Sequence, residues 1–149
     1  RIGDWEADLV CGARTTGYLV TLVERKSRYT RIGFTRGKTA EEVTAEIVRL
    51  LRHEVVETIT FDNGKEFAGH EQVAAELECK CYFADPYSSW QRGTNENTNG
   101  LIRQYFPKGM SLARVGWEHI WFVEDRLNSR PRKCLDFKPP EVAYYSRAG

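Results

Sequence analysis

The stretch Thr58-Ile59-Thr60-Phe61-Asp62-Asn63-Gly64 decides how this chain folds. Four β-prone residues run into Asp-Asn-Gly, a strong turn signal. Before them, Thr39 and Glu42 form a capping box, and Ala40, Val43, Ile47, Leu50 and Leu51 keep helical spacing, which predicts an amphipathic helix over residues 40–53. After them, Phe67, Val73, Ala74 and Leu77 predict a second helix, followed by a strand over Cys79–Phe83. A strand entered and left through helices is reached by crossovers, so strands four and five are expected parallel to strand one.

Working outward, Trp5-Glu-Ala-Asp-Leu-Val10 alternates apolar and polar and predicts a short strand with one wet face. Tyr18–Val23 is a continuous β-prone run, suited to a strand buried on both faces. Glu24-Arg25-Lys26-Ser27 is a charged hairpin connection, and Tyr29–Thr35 alternates again, so the first three strands read as an antiparallel meander. Asp85-Pro86-Tyr87-Ser88-Ser89 breaks regular structure before a helix that carries Glu96. Trp117, Ile120, Trp121, Glu124, Leu127 and Asn128 mark another helix, ended by Arg130-Pro131, and Lys138-Pro139-Pro140 opens a last one. The order β-β-β-α-β-α-β-α-α-α describes an α/β sheet with an antiparallel hairpin edge.

The 149 residues, 41% of them hydrophobic, suffice for one domain with one sizeable core. No apolar run approaches the ~20 residues that span a membrane. The chain opens on Arg1 and has one methionine, Met110, which reads as a domain of a longer protein. Cys11, Cys79, Cys81 and Cys134 show no CxxC spacing, so reduced, packed thiols are expected rather than a zinc site. His53-Glu54 lacks the second histidine of a zinc-protease helix, since position 57 is Glu57. Net charge is only +1, but residues 1–86 hold 12 Lys and Arg against 15 Asp and Glu, whereas residues 87–149 hold 10 against 6. The basic half accompanies the Glu96 region and suits a polyanionic partner.

Three acids carry the chemistry. Asp8 lies within strand one, and Asp62 lies at the C-terminal end of strand four, where open α/β sheets collect ligands. If strand four adds beside strand one, the two become neighbours, and adjacent carboxylates repel unless a cation sits between them. Oxygen-only ligands suit Mg²⁺ or Mn²⁺. Glu96 supplies a third carboxylate from a helix whose polar side, at 100° per residue, also holds Asn99, Gly100 and Arg103 within about 60°. Leu101, Ile102 and Tyr105 form its apolar side. Three acids can hold two ions, Asp8 bridging them and Asp62 and Glu96 each holding one, for an in-line displacement at phosphorus. Each acid also has a plainer reading: turn chemistry for Asp62, a solvated face for Asp8, and a dipole-favouring first-turn acid for Glu96.

Trp5-Glu6-Ala7-Asp8, Thr60-Phe61-Asp62-Asn63-Gly64 and Glu96, with 33 residues between the last two acids, together resemble the Asp-Asp-Glu transposase and retroviral integrase superfamily. The stretch from Ser89-Trp90-Gln91-Arg92-Gly93-Thr94-Asn95-Glu96 to Pro107, and the tail Leu127-Asn128-Ser129-Arg130-Pro131-Arg132-Lys133, resemble the bacterial IS-thirty insertion-sequence transposases. The resemblance covers essentially the whole chain. It implies a ribonuclease-H-like fold, with a five-stranded mixed sheet in the order 3-2-1-4-5 and an antiparallel first three strands, flanked by helices. It also implies Mg²⁺-dependent cleavage at the inverted repeats of an element, with Mn²⁺ as substitute, and transfer of the 3′-hydroxyl into target DNA. Asp8, Asp62 and Glu96 are then the catalytic, metal-binding acids.

Double-stranded DNA is the implied partner, the active complex is expected to be a homo-oligomer without membrane association, and the setting is the bacterial cytoplasm and nucleoid. Residues 1–149 are expected to be an integrase-type catalytic core without the helix-turn-helix region that recognises element ends. Asn99 and Arg103 are expected to touch DNA phosphate or sugar, Trp90 and Arg92 to position or stack on DNA, and Asn63 and Lys65 to orient Asp62 or approach substrate. Arg130, Arg132 and Lys133 are expected to contact the DNA backbone, with helix C-terminal charge explaining part of that cluster. For Trp90 a packing role is the alternative, and for Asn99 and Arg103 an exposed helix face. A ribonuclease-H-type nuclease without strand transfer and a catalytically inactive DNA-binding remnant are the competing functions; a two-carboxylate glycosidase fits poorly, because three acids exceed its needs. Asp8 and Asp62 are expected to be held by strands, whereas Glu96 depends on the Pro86–Thr94 loop and is the acid expected to be displaced.

Overall fold

A computed structural model of the chain describes residues 1–84 and 93–148; the side chains of residues 15, 93–96, 147 and 148 are outside that description. Strands β1 (Asp4–Cys11), β2 (Tyr18–Glu24), β3 (Thr30–Thr35), β4 (Thr58–Phe61) and β5 (Lys80–Phe83) form one sheet in the order β3-β2-β1-β4-β5. β1 and β2, and β2 and β3, pair antiparallel, while β4 pairs parallel with both β1 and β5. Helices α1 (Ala40–Leu51) and α2 (His70–Leu77) make the crossovers, and α3 (Gly93–Tyr105), α4 (Trp117–Ser129) and α5 (Pro140–Ala148) follow the last strand.

Alternation along the strands divides the apolar residues into two cores, one on each side of the sheet. Trp5, Ala7, Val20, Leu22, Ile59 and Phe61 pack against Val43, Ile47 and Leu51 of α1, Val73 of α2 and Tyr144 of α5. On the opposite side Val10, Leu19 and Ile32 pack against Ile102 and Phe106 of α3 and Ile120, Val123 and Leu127 of α4. The continuous run of β2 feeds both cores, as a strand covered on two faces must.

β1 departs from the expectation of one wet face. Glu6 is fully buried beside the Arg25 guanidinium at 3.6 Å, and only Asp8 and Leu9, at half-burial, and Cys11, exposed, lie open beyond the first residue. The polar alternation of β1 marks the side that α3 covers, because β1 sits between β2 and β4 rather than at an edge. Element ends shift as well. α1 stops at Leu51, β5 starts at Lys80 rather than Cys79, and Phe67 belongs to a separate 3₁₀ turn, Lys65–Phe67, before α2. Thr39 caps α1 as its box predicts, its hydroxyl accepting from the Glu42 N–H at 3.2 Å.

The outer edge of the sheet is closed by side chains. The outward N–H groups of β3 are donated in turn to Asn128 Oδ1 from Thr30 (2.8 Å), Glu124 Oε2 from Ile32 (2.7 Å) and Glu46 Oε2 from Phe34 (2.9 Å). α4 and α1 thereby occupy the donors that another strand would need. At the opposite end of the core, Tyr144 stacks on Tyr29 at 4.5 Å between ring centroids, and its hydroxyl accepts from the Val55 N–H at 3.0 Å. The Trp5 indole donates to the Val55 carbonyl at 2.8 Å, so strand, loop and last helix lock together.

Candidate active site

The parallel pairing of β1 and β4 sets Asp4 opposite Thr58, Trp5 opposite Ile59 and Glu6 opposite Thr60. Asp8 follows two residues after Glu6 and Asp62 two residues after Thr60, at the same end of this ladder. Side chains alternate, so Asp4, Glu6 and Asp8 share the side of the sheet that faces α3. Asp62 is the first residue past β4, at the carboxyl end where the chain turns away. Its Oδ1 accepts from the Gly64 N–H at 2.8 Å, an Asx turn that fixes the carboxylate to its own loop. Turn chemistry thus holds Asp62 at the carboxyl end of β4.

Asp8 is held more elaborately. Its Oδ1 accepts from the Leu9 N–H and its Oδ2 from the Asn99 carboxamide, each at 2.9 Å. Asn99 lies on α3 and also accepts from the Thr21 hydroxyl at 3.4 Å; Thr21 is fully buried and is the antiparallel partner of Asp8. The same hydroxyl lies 3.4 Å from the Asp8 carbonyl, so one O–H serves two acceptors. Thr21 carried no visible signal in the sequence beyond being one hydroxyl inside an apolar run.

The helix that bears Glu96 is described, with Thr98 and Ile102 buried under it and Asn99 half-buried. The Glu96 side chain is outside the described residues, as are Trp90 and Arg92 and most of the Pro86–Thr94 loop whose order bears on it. Among the described residues no group of three carboxylates, histidines or cysteines comes together. Asp8 and Asp62 both offer carboxylate oxygens, the donor type that hard divalent cations take.

The remaining predicted residues are distributed unevenly. Asn63 and Lys65 are exposed beside Asp62. Arg103 donates to the carbonyls of Cys11 (3.2 Å) and Phe106 (3.4 Å), tying the end of α3 to the end of β1. Arg130 and Lys133 are exposed, whereas Arg132 is buried, and burial lowers its pKa. Only two of those three cations thus face solvent. Cys79 and Cys81 are free thiols packed at the margin of the first core. No helix among the described residues is long and apolar enough to cross a membrane.

Comparison with known proteins shows the family and the fold of this chain. The integrase core domain model matches residues 2–89. The chain is 46% identical over 146 residues to the transposase for insertion sequence element IS4351 of Bacteroides fragilis, covering 97% of this chain and 45% of that protein. It is 47% identical over 143 residues to the transposase InsI for insertion sequence element IS30A of Escherichia coli K12, covering 94% and 37% respectively. The chain thus spans less than half the length of these relatives. In three dimensions it resembles the catalytic core domain of BIV integrase, with a TM-score of 0.73 at 19% identity over 96% of this chain and 93% of that one. A chain of the simian T-cell lymphotropic virus intasome in complex with PP2A regulatory subunit B56 gamma gives 0.76 at 19% identity, covering 96% and 54%.

Proposed function

This chain belongs to the integrase core domain family, and from that premise we propose that it is the catalytic core of an insertion-sequence transposase, cutting DNA at the element's ends and joining them to a target. What supports this reading is the parallel β1–β4 ladder, with Asp8 two residues past its last pair on one strand and Asp62 two residues past it on the other, on a chain 46% identical to an insertion-sequence transposase. In the proposed site Asp8, Asp62 and Glu96 hold two Mg²⁺ ions, for which Mn²⁺ can substitute. When bound, such ions stabilise the attacking and leaving oxygens of an in-line displacement at phosphorus.

The protein supplies no nucleophile of its own. In the first step water attacks the phosphorus at the element's end and gives up a proton; the P–O3′ bond breaks, and the departing 3′-oxygen takes up a proton to become a 3′-hydroxyl. In the second, that hydroxyl attacks a target phosphodiester. One P–O bond forms, the target's P–O3′ bond breaks, and no external energy source is consumed. The task of the fold is to hold the acids in register, with Asp8 gripped by Leu9 and Asn99 and Asp62 by Gly64. Because the relatives are more than twice as long, recognition of the element ends is assigned to parts of the full protein outside this chain. Double-stranded DNA is the proposed partner, with Asn63, Lys65, Arg130 and Lys133 as exposed contact candidates and a homo-oligomer as the working assembly.

The test is an end-processing assay. Full-length protein is incubated with labelled inverted-repeat ends and Mg²⁺, and products are resolved at single-nucleotide resolution. A 3′-hydroxyl at the element's terminus followed by joined products supports the transposase. Cleavage without joining leaves a ribonuclease-H-type nuclease, and neither product leaves a binding remnant.

A further inference from the structure

We infer that Asn99 is a positioning residue for Asp8, set by Thr21, rather than a DNA contact; this rests on the metal-site reading given above. The carboxamide of Asn99 lies between two residues that face each other across the β1–β2 ladder. It donates to Asp8 Oδ2 at 2.9 Å and accepts from Thr21 Oγ1 at 3.4 Å. The carboxylate decides which end of the amide faces Asp8: the nitrogen must meet it, since an inverted amide would set its oxygen against a carboxylate oxygen. The amide oxygen then accepts from the Thr21 hydroxyl, which holds the carboxamide from its other end. Thr21 is fully buried and has little freedom to swing away. Asp8 is thus fixed at both oxygens, by its neighbour's N–H on Oδ1 and by Asn99 on Oδ2.

The consequence reaches beyond Asp8. Asn99 stands one helical turn after Glu96, on the same side of α3. The bond that orients the sheet acid therefore also anchors the helix that presents the third acid. Partners that orient metal-binding carboxylates typically influence metal affinity 10–100-fold without touching the ion. A residue on DNA would behave differently, altering DNA affinity while leaving ion binding intact.

Manganese is the probe, titrated into the full-length protein without DNA and followed by electron paramagnetic resonance, with DNA binding measured separately by fluorescence anisotropy in chelator. Asn99→Ala is expected to raise the half-saturating Mn²⁺ concentration about tenfold or more, with DNA affinity unchanged. Thr21→Val, which removes the hydroxyl and keeps the volume, is expected to shift Mn²⁺ binding in the same direction by a smaller factor. Circular dichroism identifies a misfolded variant, and if Asn99→Ala fails there, Thr21→Val decides. Unchanged Mn²⁺ binding in the folded variants, or lost DNA affinity with Mn²⁺ binding intact, overturns the assignment. Survival of Mn²⁺ binding in Asp62→Asn would instead overturn the metal site itself.

Discussion

Asn128 pairs with Thr30 as a neighbouring strand would: its carboxamide accepts from the Thr30 N–H and donates to the Thr30 carbonyl, both at 2.8 Å. Both partners are buried. Asn128→Ala leaves a donor and an acceptor of the main chain without partners, which costs about 1–3 kcal/mol. Urea denaturation followed by tryptophan fluorescence is expected to show a lower midpoint, accompanied by a greater tendency to aggregate as the β3 edge opens. An unchanged midpoint would show that the edge is closed by something else.

Glu124, which caps Ile32 on the same edge, predicts a pH dependence. Burial pushes its carboxyl above the ordinary value, against the opposing pull of Arg31 and of the Ile32 N–H. The folded protein therefore holds this proton more tightly than the unfolded chain does. Its contribution is fully present below the ordinary carboxylate range and is lost as pH rises through the raised folded value. Glu124→Gln retains an acceptor for Ile32 but cannot ionise. Its stability relative to the parent is expected to improve as pH is raised from acid toward neutral. Parallel stability profiles would contradict this.

Tyr144 joins α5 to the loop before β4. Tyr144→Phe keeps the stack on Tyr29 but deprives the Val55 N–H of its acceptor, a loss of about 1–3 kcal/mol. Tyr144→Ala also leaves a cavity, and about 3–5 kcal/mol is expected by analogy with other large aromatic truncations. The ordering of these two variants in chemical denaturation is the check. Equal losses would place the energy in the hydroxyl alone.

Thr98 makes the opposite prediction. It is fully buried in α3, and its hydroxyl has no hydrogen-bond partner among the described residues. Thr98→Val keeps the shape and removes a polar group buried at a cost, so stability is expected to be unchanged or higher by up to ~1–2 kcal/mol. A marked loss in thermal denaturation would reveal a partner for that hydroxyl.

The sheet was legible in the sequence because its signals are local. The turn after Phe61, the capping box at Thr39 and the unbroken run of β2 each name an element, and crossover rules make strands four and five parallel to strand one, while the strand order came from the family resemblance. The same local signals place Asp8 within β1 and Asp62 just past β4. What escaped were contacts made between distant elements. Nothing local distinguishes Thr21 from any other strand threonine, or shows that Glu46, Glu124 and Asn128 reach the main chain of β3. Nor does the sequence show that two of the Arg103 donors reach the Cys11 and Phe106 carbonyls. Likewise, a run of three cations after α4 gave no hint that Arg132 is buried, its main chain bridged to Lys138 around the 3₁₀ turn Lys133–Leu135. Polar alternation in β1 was read as exposure, when it records which side α3 covers.

The central claim is that Asp8 and Asp62 act together on a phosphodiester. It is tested most directly by full-length Asp62→Asn on labelled inverted-repeat ends with Mg²⁺, alongside end binding measured by anisotropy. The account predicts that binding survives while release of the 3′-hydroxyl falls to the level of a chelated control. Cleavage retained near the parent rate would contradict it.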